Sequence, residues 1–376
     1  MLVDLSLAYH LRFQKLRQRR DIDAAVGLRT QILSIFPEKA SDRGFLNNLC
    51  GALLGRFESL GNPDDLDQAI ELLEHALVLA DNTQEEVLPT ILLNLGDGYQ
   101  ARFFLSGILS DIHKAIEHLD RGLVIIPSDH PLISSLLNNL STSYLRLFHR
   151  SENLDDINRA IERAQQGISL SPGHPVLISL LKNLGSAYQF RFDRLGNPHD
   201  IESAIENQTR RASLSLDNPF HLPTSLSALG VSYFRHYEYT QKIEDIDTAI
   251  EHQLKCLALL GKERPERPTC LSDIANSYRS RYLRLDNLED INQSIESLTE
   301  AITLTRSGHA EIPSWYSNLG HSYHSRYNRL QKSEDIDKAI EYQVKAIDAL
   351  AVYPTCLAIS QCPTIVEAKL LETMKI

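Results

Sequence analysis

The stretch RFDRLGNPHDIESAIENQ, residues 191–208, returns with small changes as RLDNLEDINQSIESL (284–298) and RLQKSEDIDKAIEYQ (329–343). Aligning the chain on this phrase places an aspartate at eight positions, 44 to 46 residues apart: Asp21, Asp65, Asp111, Asp156, Asp200, Asp245, Asp290 and Asp335. Repetition this regular is typical of a solenoid, in which each unit packs on its neighbours. We therefore expect the repeat to determine the fold.

Each copy has a second fixed point, here called the tyrosine position, twelve residues before the aligned aspartate. In the fifth copy it is Tyr188, preceded by Leu184 and Gly185 and followed by the aromatic Phe192. Spacings of three and four place these residues on one helical face. The pattern predicts two amphipathic helices per unit: helix A, of about 18–20 residues, through the tyrosine position, and helix B, of about 15 residues, from the aspartate phrase.

The start of helix B has a recognisable capping signal in four copies. An asparagine lies three residues before the aligned aspartate at Asn62, Asn153, Asn197 and Asn287. Asparagine is a favoured N-cap, and an acidic first turn suits the helix dipole. Pro63 and Pro198 follow at the first helical position, where a missing N–H is tolerated. The repeated aspartate is therefore interpreted as part of a helix start and packing face, with no catalytic role.

The order Leu184-Gly185-x-x-Tyr188, then Ala204, resembles a tetratricopeptide repeat. The small residues Gly122 and Gly167 also fall where that family has them, but the unit is longer than the family's usual length of about 34 residues. The resemblance covers residues 1–351. It implies an all-α solenoid of about eight two-helix repeats of about 45 residues, coiled into a right-handed superhelix.

The longer unit is similar to repeats of fungal, especially basidiomycete, proteins, in which they often precede a caspase-like CHAT protease domain. The first repeat is expected to be truncated, because Met1 falls inside its helix A. The tail, residues 352–376, departs from the repeat. It is expected to be either a capping helix over about 363–375, since solenoid ends need covering, or the product of an incorrectly assigned gene boundary.

Composition limits the partners and the compartment. The formal net charge of −11 argues against nucleic acid, because phosphate binding needs a surplus of Lys and Arg. No apolar run reaches the roughly 20 residues that span a bilayer, and the N-terminus lacks the order of a signal peptide. The five cysteines form no CxxC pair, which indicates a reducing compartment, and Cys256 is expected in the core. We expect a cytoplasmic protein with no membrane contact.

No catalytic or cofactor motif is present. None of the 14 histidines has HExxH spacing, and GKER at 261–264 lacks the spacing of a phosphate-binding loop. Paired carboxylates occur at the helix B starts, where solvated caps are their simplest interpretation. The sequence therefore predicts a protein that is not an enzyme, with no metal and no cofactor.

Helix A carries the candidate binding residues, because the family resemblance implies that helix A lines the concave groove. An asparagine five residues before the tyrosine position, able both to donate and to accept, is expected either to hold a peptide backbone or to bond the adjacent helix. The candidates are Asn94, Asn139, Asn183 and Asn318. The cations expected on the same face are Arg146, Lys182, Arg235 and Arg279. Since Asp97 is the one acid among the positions compared, the groove is expected to be neutral to basic and to favour an acidic partner.

A further arginine recurs three residues after the tyrosine position. It is present in six copies as Arg12, Arg56, Arg102, Arg191, Arg281 and Arg326, and is replaced by Leu147 and His236. An arginine repeated beside a packing aromatic is predicted to form a structural ladder that bonds helix B acids or turn carbonyls.

The sequence therefore predicts a protein–protein interaction scaffold that holds a peptide or partner segment in its groove. The main alternative is the regulatory arm of a larger CHAT-type protease, with its catalytic domain absent from these 376 residues. A helical-repeat RNA binder is a third reading, against which the acidic charge counts. No prediction of the oligomeric state follows.

Overall fold

The structure, a computed structural model, describes residues 1–79, 87–170, 173, 175–305 and 309–352. The first four repeats contain α1 (Leu2–Leu16) and α2 (Arg19–Ile35), α3 (Arg43–Leu60) and α4 (Pro63–Val78), α5 (Leu88–Ser106) and α6 (Leu109–Ile125), and α7 (Ile133–Ser151) and α8 (Leu154–Leu170). The last four contain α9 (Leu177–Leu195) and α10 (Pro198–Leu214), α11 (Leu222–Thr240) and α12 (Ile243–Leu259), α13 (Arg267–Leu285) and α14 (Leu288–Leu304), and α15 (Ile312–Leu330) and α16 (Ser333–Val352).

The described residues are all-α: sixteen α-helices, a short 3-10 helix at Pro37–Ser41, and no strand. Odd-numbered helices are the A helices and even-numbered ones the B helices, so the predicted fold class and the pairing of two helices per repeat are confirmed. The helices group into two compact units, Met1–Ala187 and Tyr188–Ile376. The capping helix predicted over about 363–375 lies outside the described residues.

Every A helix ends in the same turn. Its C-cap residue is left-handed, with φ between 51° and 70°, at Arg17, Gly61, Gly107, Glu152, Gly196, Gln241, Asp286 and Gln331. In each case the cap N–H donates to the carbonyl of the aromatic residue four positions earlier, at 2.7–2.8 Å. This bond satisfies an end carbonyl and sets the reversal into helix B. Only three of the eight caps are glycine.

Substituting a capping glycine tests this turn. Gly196 has a φ of +66°, and a Cβ there would meet nothing within 4 Å, so the substitution Gly196→Ala changes backbone strain alone. We expect it to lower the free energy of unfolding by about 1 kcal/mol, measured by urea denaturation. Gly261→Ala is the control, because Gly261 also has open space around its Cα and lacks a positive φ. An equal loss of stability in Gly196→Ala and Gly261→Ala would contradict the expected backbone strain at position 196.

The asparagine caps are formed as predicted. The side-chain oxygens of Asn62, Asn153, Asn197 and Asn287 each accept a hydrogen bond from the N–H two residues later, at 3.0–3.2 Å. Pro63 and Pro198 begin their helices. The caps orient helix B so that its first buried residue is the aligned aspartate.

Consecutive repeats pack through small residues on both the A and the B helices. Gly98 of α5 lies against Ile70 of the preceding B helix, where a Cβ would be 3.0 Å from Ile70 Cγ1. Gly122 of α6 meets Leu136 of the following A helix in the same way, at 2.9 Å from Leu136 Cδ2. The small positions therefore let each B helix approach the next A helix closely, as the sequence pattern predicts.

Candidate functional site

The candidate site is the surface formed by neighbouring A helices, called the A face below. In the first unit α3 contacts α5 and α5 contacts α7, and in the second unit α11 contacts α13 and α13 contacts α15. No pair of B helices within the described ranges is in comparably close contact. Side chains on consecutive A helices are therefore within reach of one another.

The candidate asparagines of the first unit bond neighbouring A helices. Asn94 Nδ2 donates to Asn47 Oδ1 of α3 at 2.8 Å, and Asn139 Nδ2 donates to the Asp97 carboxylate of α5. Asn183 Nδ2 donates to Thr142 Oγ1 of α7 at 2.9 Å. These contacts match the adjacent-helix interpretation. Within the part of the chain that the structure describes, the side chain of the fourth candidate, Asn318, has no hydrogen-bond partner.

The candidate cations differ in what surrounds them. Arg146 Nη1 donates to the backbone carbonyl of Gln100 at 2.6 Å, and its guanidinium lies 5.5 Å from the Phe104 ring centroid. Lys182 is exposed on α9. Arg146 therefore joins α7 to α5 in addition to lying on the A face.

In the second unit, Arg235 and Arg279 form a contrast. Arg235 donates to Glu238 at 2.8 Å and lies 3.7 Å from Asp193, so two carboxylates neutralise its charge. Arg279 has no ion pair with any described residue, and its Nε is buried without a hydrogen-bond partner. Burial lowers the pKa of Arg279, because the cation loses water. Arg279 is thus a half-buried cation on the A face without a counter-ion among the residues described.

Acids contribute more to the A face than the sequence positions had indicated. Asp193 and Glu238 lie beside Arg235, and Asp97 lies beside Arg146. Crowding by surrounding protein atoms, with a contribution from Glu58, raises the pKa of Asp97 to about 7, although its side chain is exposed. The A face is therefore of mixed charge. The extra acids lie at positions that the comparison of the repeats did not sample.

Asp273 provides a test of this electrostatic environment. Burial, and to a lesser extent Glu311, raises the pKa of Asp273 to about 7, while Arg235 opposes the shift. Because the unfolded chain releases this proton at lower pH than the folded chain does, stability falls as the pH rises from about 4 to about 7. We expect the free energy of unfolding to fall between pH 5 and pH 8 in the wild type. The fall should be about 1 kcal/mol larger than in Asp273→Asn, measured by urea denaturation at both pH values. Identical pH dependence in the two proteins would contradict the shift.

A cavity of about 300 Å³ opens on the A face of the first three repeats. Gly51 and Gly55 of α3 line it, and a Cβ at Gly51 would meet nothing within 4 Å. Phe13 and Leu54 contribute apolar lining, and the candidate Asn94 also lines the cavity. This cavity therefore lies mainly on the first two repeats, and Asn94 is the one candidate residue that lines it.

The recurrent arginine forms the predicted ladder to helix B acids. In each of its six copies the guanidinium donates through Nε and Nη2 to both carboxylate oxygens of the aligned aspartate of the same repeat, at 2.5–3.1 Å. The paired aspartates are buried, so the bidentate pair supplies their compensating charge. Asp290 in turn raises the pKa of Arg281.

The third nitrogen of the same arginine reaches the preceding repeat. Arg281 Nη1 donates to Asp247 at 2.7 Å, and Arg326 Nη1 donates to Asn292 at 2.8 Å. Where the arginine is absent, a hydroxyl compensates in part: Ser151 Oγ donates to Asp156 in the fourth repeat at 2.7 Å. These aspartates serve the scaffold and carry no open coordination or proton-transfer position.

No group of three or more His, Cys, Asp or Glu among the described residues is placed to hold a metal ion. None of the described helices is long and apolar enough to cross a membrane. Cys50, Cys256 and Cys270 are buried thiols, as expected for Cys256, and burial raises the pKa of Cys50 to about 12.

No family model and no curated protein matches this chain. Solved structures do match. A signal transduction ATPase with numerous domains and a tetratricopeptide repeat sensor, from Pyrococcus horikoshii, aligns over 90% of this chain and 48% of its own, with 14% identity and a TM-score of 0.58. A tetratricopeptide repeat protein from Parabacteroides merdae aligns over 85% of this chain and 99% of its own, with 11% identity and a TM-score of 0.50. At such identities the likeness concerns the fold, which is that of a tetratricopeptide-like α-solenoid.

Proposed function

We propose that the chain is a protein–protein interaction scaffold without catalytic activity, and that its A face binds an extended peptide or a partner segment. The solenoid fold supports this, because stacked repeats create an extended binding surface without a single active centre. Arg279 of α13 and Asn318 of the adjacent A helix α15 offer donors that have no partner among the described residues.

Arg279 is the observation that carries the proposal of an acidic partner. A half-buried guanidinium is stabilised by a carboxylate, which accepts two parallel hydrogen bonds from it. The described protein supplies such carboxylates to Arg235 and none to Arg279. We therefore assign Arg279 the role of contacting an acidic side chain or a terminal carboxylate of the partner. Asn318 and Arg235, which lie in the same unit as Arg279, are secondary contacts in this scheme.

Selection from a phage-displayed library of random peptides tests this assignment. We expect the selected peptides to be enriched in Asp and Glu, and a fluorescein-labelled selected peptide to bind Arg279→Glu at least about tenfold more weakly than the wild type, by fluorescence anisotropy. Lys255→Glu makes the same charge change on the B helix α12, where Lys255 pairs with Glu251, and should leave the affinity unchanged. Peptides without acidic enrichment, or equal loss in both variants, would refute the acidic partner.

A second candidate is the sensor or regulatory arm of a larger protein. The Pyrococcus horikoshii ATPase favours it, because the aligned region covers only 48% of a chain described as having a repeat sensor. For this chain the corresponding proposal is a cytoplasmic fungal protein with a CHAT-type protease domain. Sequencing the transcript beyond codon 376 tests it: a downstream frame with a His and a Cys in a caspase-like context would support a regulatory arm, and a stop codon would leave a stand-alone scaffold.

A further inference from the structure

Helix α1 exposes positions that are buried in every other A helix. The aliphatic residue four positions before the tyrosine position is 0–4% exposed at Leu49, Leu95, Leu140, Leu184, Leu229, Ile274 and Leu319. Its counterpart in α1, Leu5, is 45% exposed. The small residue just before the tyrosine position is likewise buried in the other seven repeats, whereas Ala8 is exposed. Leu5 and Ala8 define what we call the N-end face.

Helix α16 shows the same departure on the opposite side of the repeat. In the seven earlier repeats the aliphatic residue five positions after the aligned aspartate is buried or half-buried. It is 3–6% exposed at Val26, Ile70, Ile161, Ile250 and Ile295, and half-buried at Ile116 and Ile205. Its counterpart Ile340 is 59% exposed, and Ile347, two helical turns later, is 55% exposed. Leu257 and Ile302, the counterparts of Ile347 in two earlier repeats, pack against core clusters. Ile340 and Ile347 define the C-end face.

The two faces are the two halves of one interface that already occurs within the chain. Between the second and third repeats, Ile70 packs against Gly98. Ile70 and Ile340 occupy the same repeat position, five residues after the aligned aspartate. Gly98 and Ala8 both occupy the position just before the tyrosine position. A C-end face is therefore shaped to receive an N-end face by the same packing that joins Ile70 to Gly98.

A charge pair accompanies this packing. Arg102 Nη1 reaches Asp67 of the preceding repeat at 3.4 Å, as Arg281 Nη1 reaches Asp247. The residue that corresponds to Asp67 in the last repeat is Asp337, which is exposed and has no partner in the described ranges. The arginine of the first repeat, Arg12, uses Nε and Nη2 on Asp21, and its Nη1 has no described partner. The end faces are thus complementary in charge as well as in shape.

We propose that the protein associates head to tail with a second copy of itself, the C-end face of one copy receiving the N-end face of the next. Ile340 and Ile347 then cover Leu5 and Ala8, and Asp337 accepts a hydrogen bond from Arg12. Such an interface is heterologous, so one contact leaves a free face at each end and further copies can add.

Light scattering after size-exclusion chromatography of the 376-residue chain tests the proposal over a range of concentrations. The mass of the wild type is expected to rise with concentration beyond that of a dimer. Leu5→Asp and Ile340→Asp each bring a carboxylate into the apolar contact and should weaken association more than about tenfold. Mixing the two variants gives the sharpest result: each keeps one intact face, so together they should form a dimer and nothing larger.

Leu254→Asp is the matched control, because Leu254 is a 47% exposed leucine on α12, away from both end faces. It should associate as the wild type does, and circular dichroism should show that all variants stay helical. Asp337→Ala is expected to weaken association less than Leu5→Asp does. Raised salt should reduce the difference in association between Asp337→Ala and the wild type. A wild type that stays monomeric at every concentration would overturn the proposal. Oligomers that persist in Leu5→Asp would also overturn it, because they would show that C-end faces pair with each other.

Discussion

We expect the Asp290→Ala variant to lose about 3 kcal/mol of its free energy of unfolding. Asp290 is 2% exposed and accepts two hydrogen bonds from Arg281, at 2.9 and 2.6 Å. Its removal leaves the guanidinium beside a small cavity with one carboxylate fewer, and the remaining partner is the exposed Asp247. Urea denaturation followed by circular dichroism measures the loss.

Glu289→Ala is the control for this substitution. Glu289 precedes Asp290 in the same first helical turn but is exposed. Its removal weakens the favourable interaction with the helix dipole and removes one exposed hydrogen bond from Gln293, which together cost about 0.5 kcal/mol. If both variants lost the same small amount, Asp290 would be an ordinary first-turn acid. A double variant, Arg281→Leu with Asp290→Leu, should be more stable than Asp290→Ala, because it leaves no buried charge unpaired.

Leu136→Ala is expected to lose about 3 kcal/mol. Leu136 is fully buried and fills the space above Gly122, so truncating it leaves a cavity between α6 and α7. Gly122→Leu alone should also destabilise the fold, because its Cβ would already lie 2.9 Å from Leu136 Cδ2. In the double variant, the leucine at position 122 of α6 fills the cavity that Leu136→Ala leaves. The double variant should therefore recover at least half of the stability that Leu136→Ala loses.

Val124→Ala provides the comparison, because Val124 lies on α6 two residues beyond Gly122 and is 84% exposed. Its effect on unfolding should be within about 0.5 kcal/mol. Losses that simply add in the double variant would show that Gly122 and Leu136 do not share one space.

Much of the fold could be predicted from the sequence because eight copies could be compared within one chain. The spacing of Leu184, Gly185 and Tyr188 predicted one packing face, and Asn197 with Pro198 predicted where the next helix begins. These features are local, so a short window of sequence carries them. The structure confirms the helix pairs and the asparagine caps.

The left-handed C-cap that ends each A helix was not predicted, because five of the eight residues at this position are not glycine. At Glu152 and Gln241 nothing in the residue type indicates a positive φ, and only the alignment with Gly196 could have shown it. The candidate site was less predictable for another reason. Whether Asn139 faces a ligand or Asp97 depends on the distance between two A helices, which one repeat's spacing does not contain.

The bonds from one arginine to two repeats have a consequence for how the chain comes apart. Arg281 holds Asp290 of its own repeat and Asp247 of the repeat before, so loosening one repeat removes a bond from the other. Where Leu147 replaces the arginine, that electrostatic coupling is missing. In a one-dimensional array, partial opening stops where nearest-neighbour coupling is weakest. Amide exchange should therefore show the seventh and eighth repeats, which Arg326 and Asn292 join, exchanging together as one cooperative block.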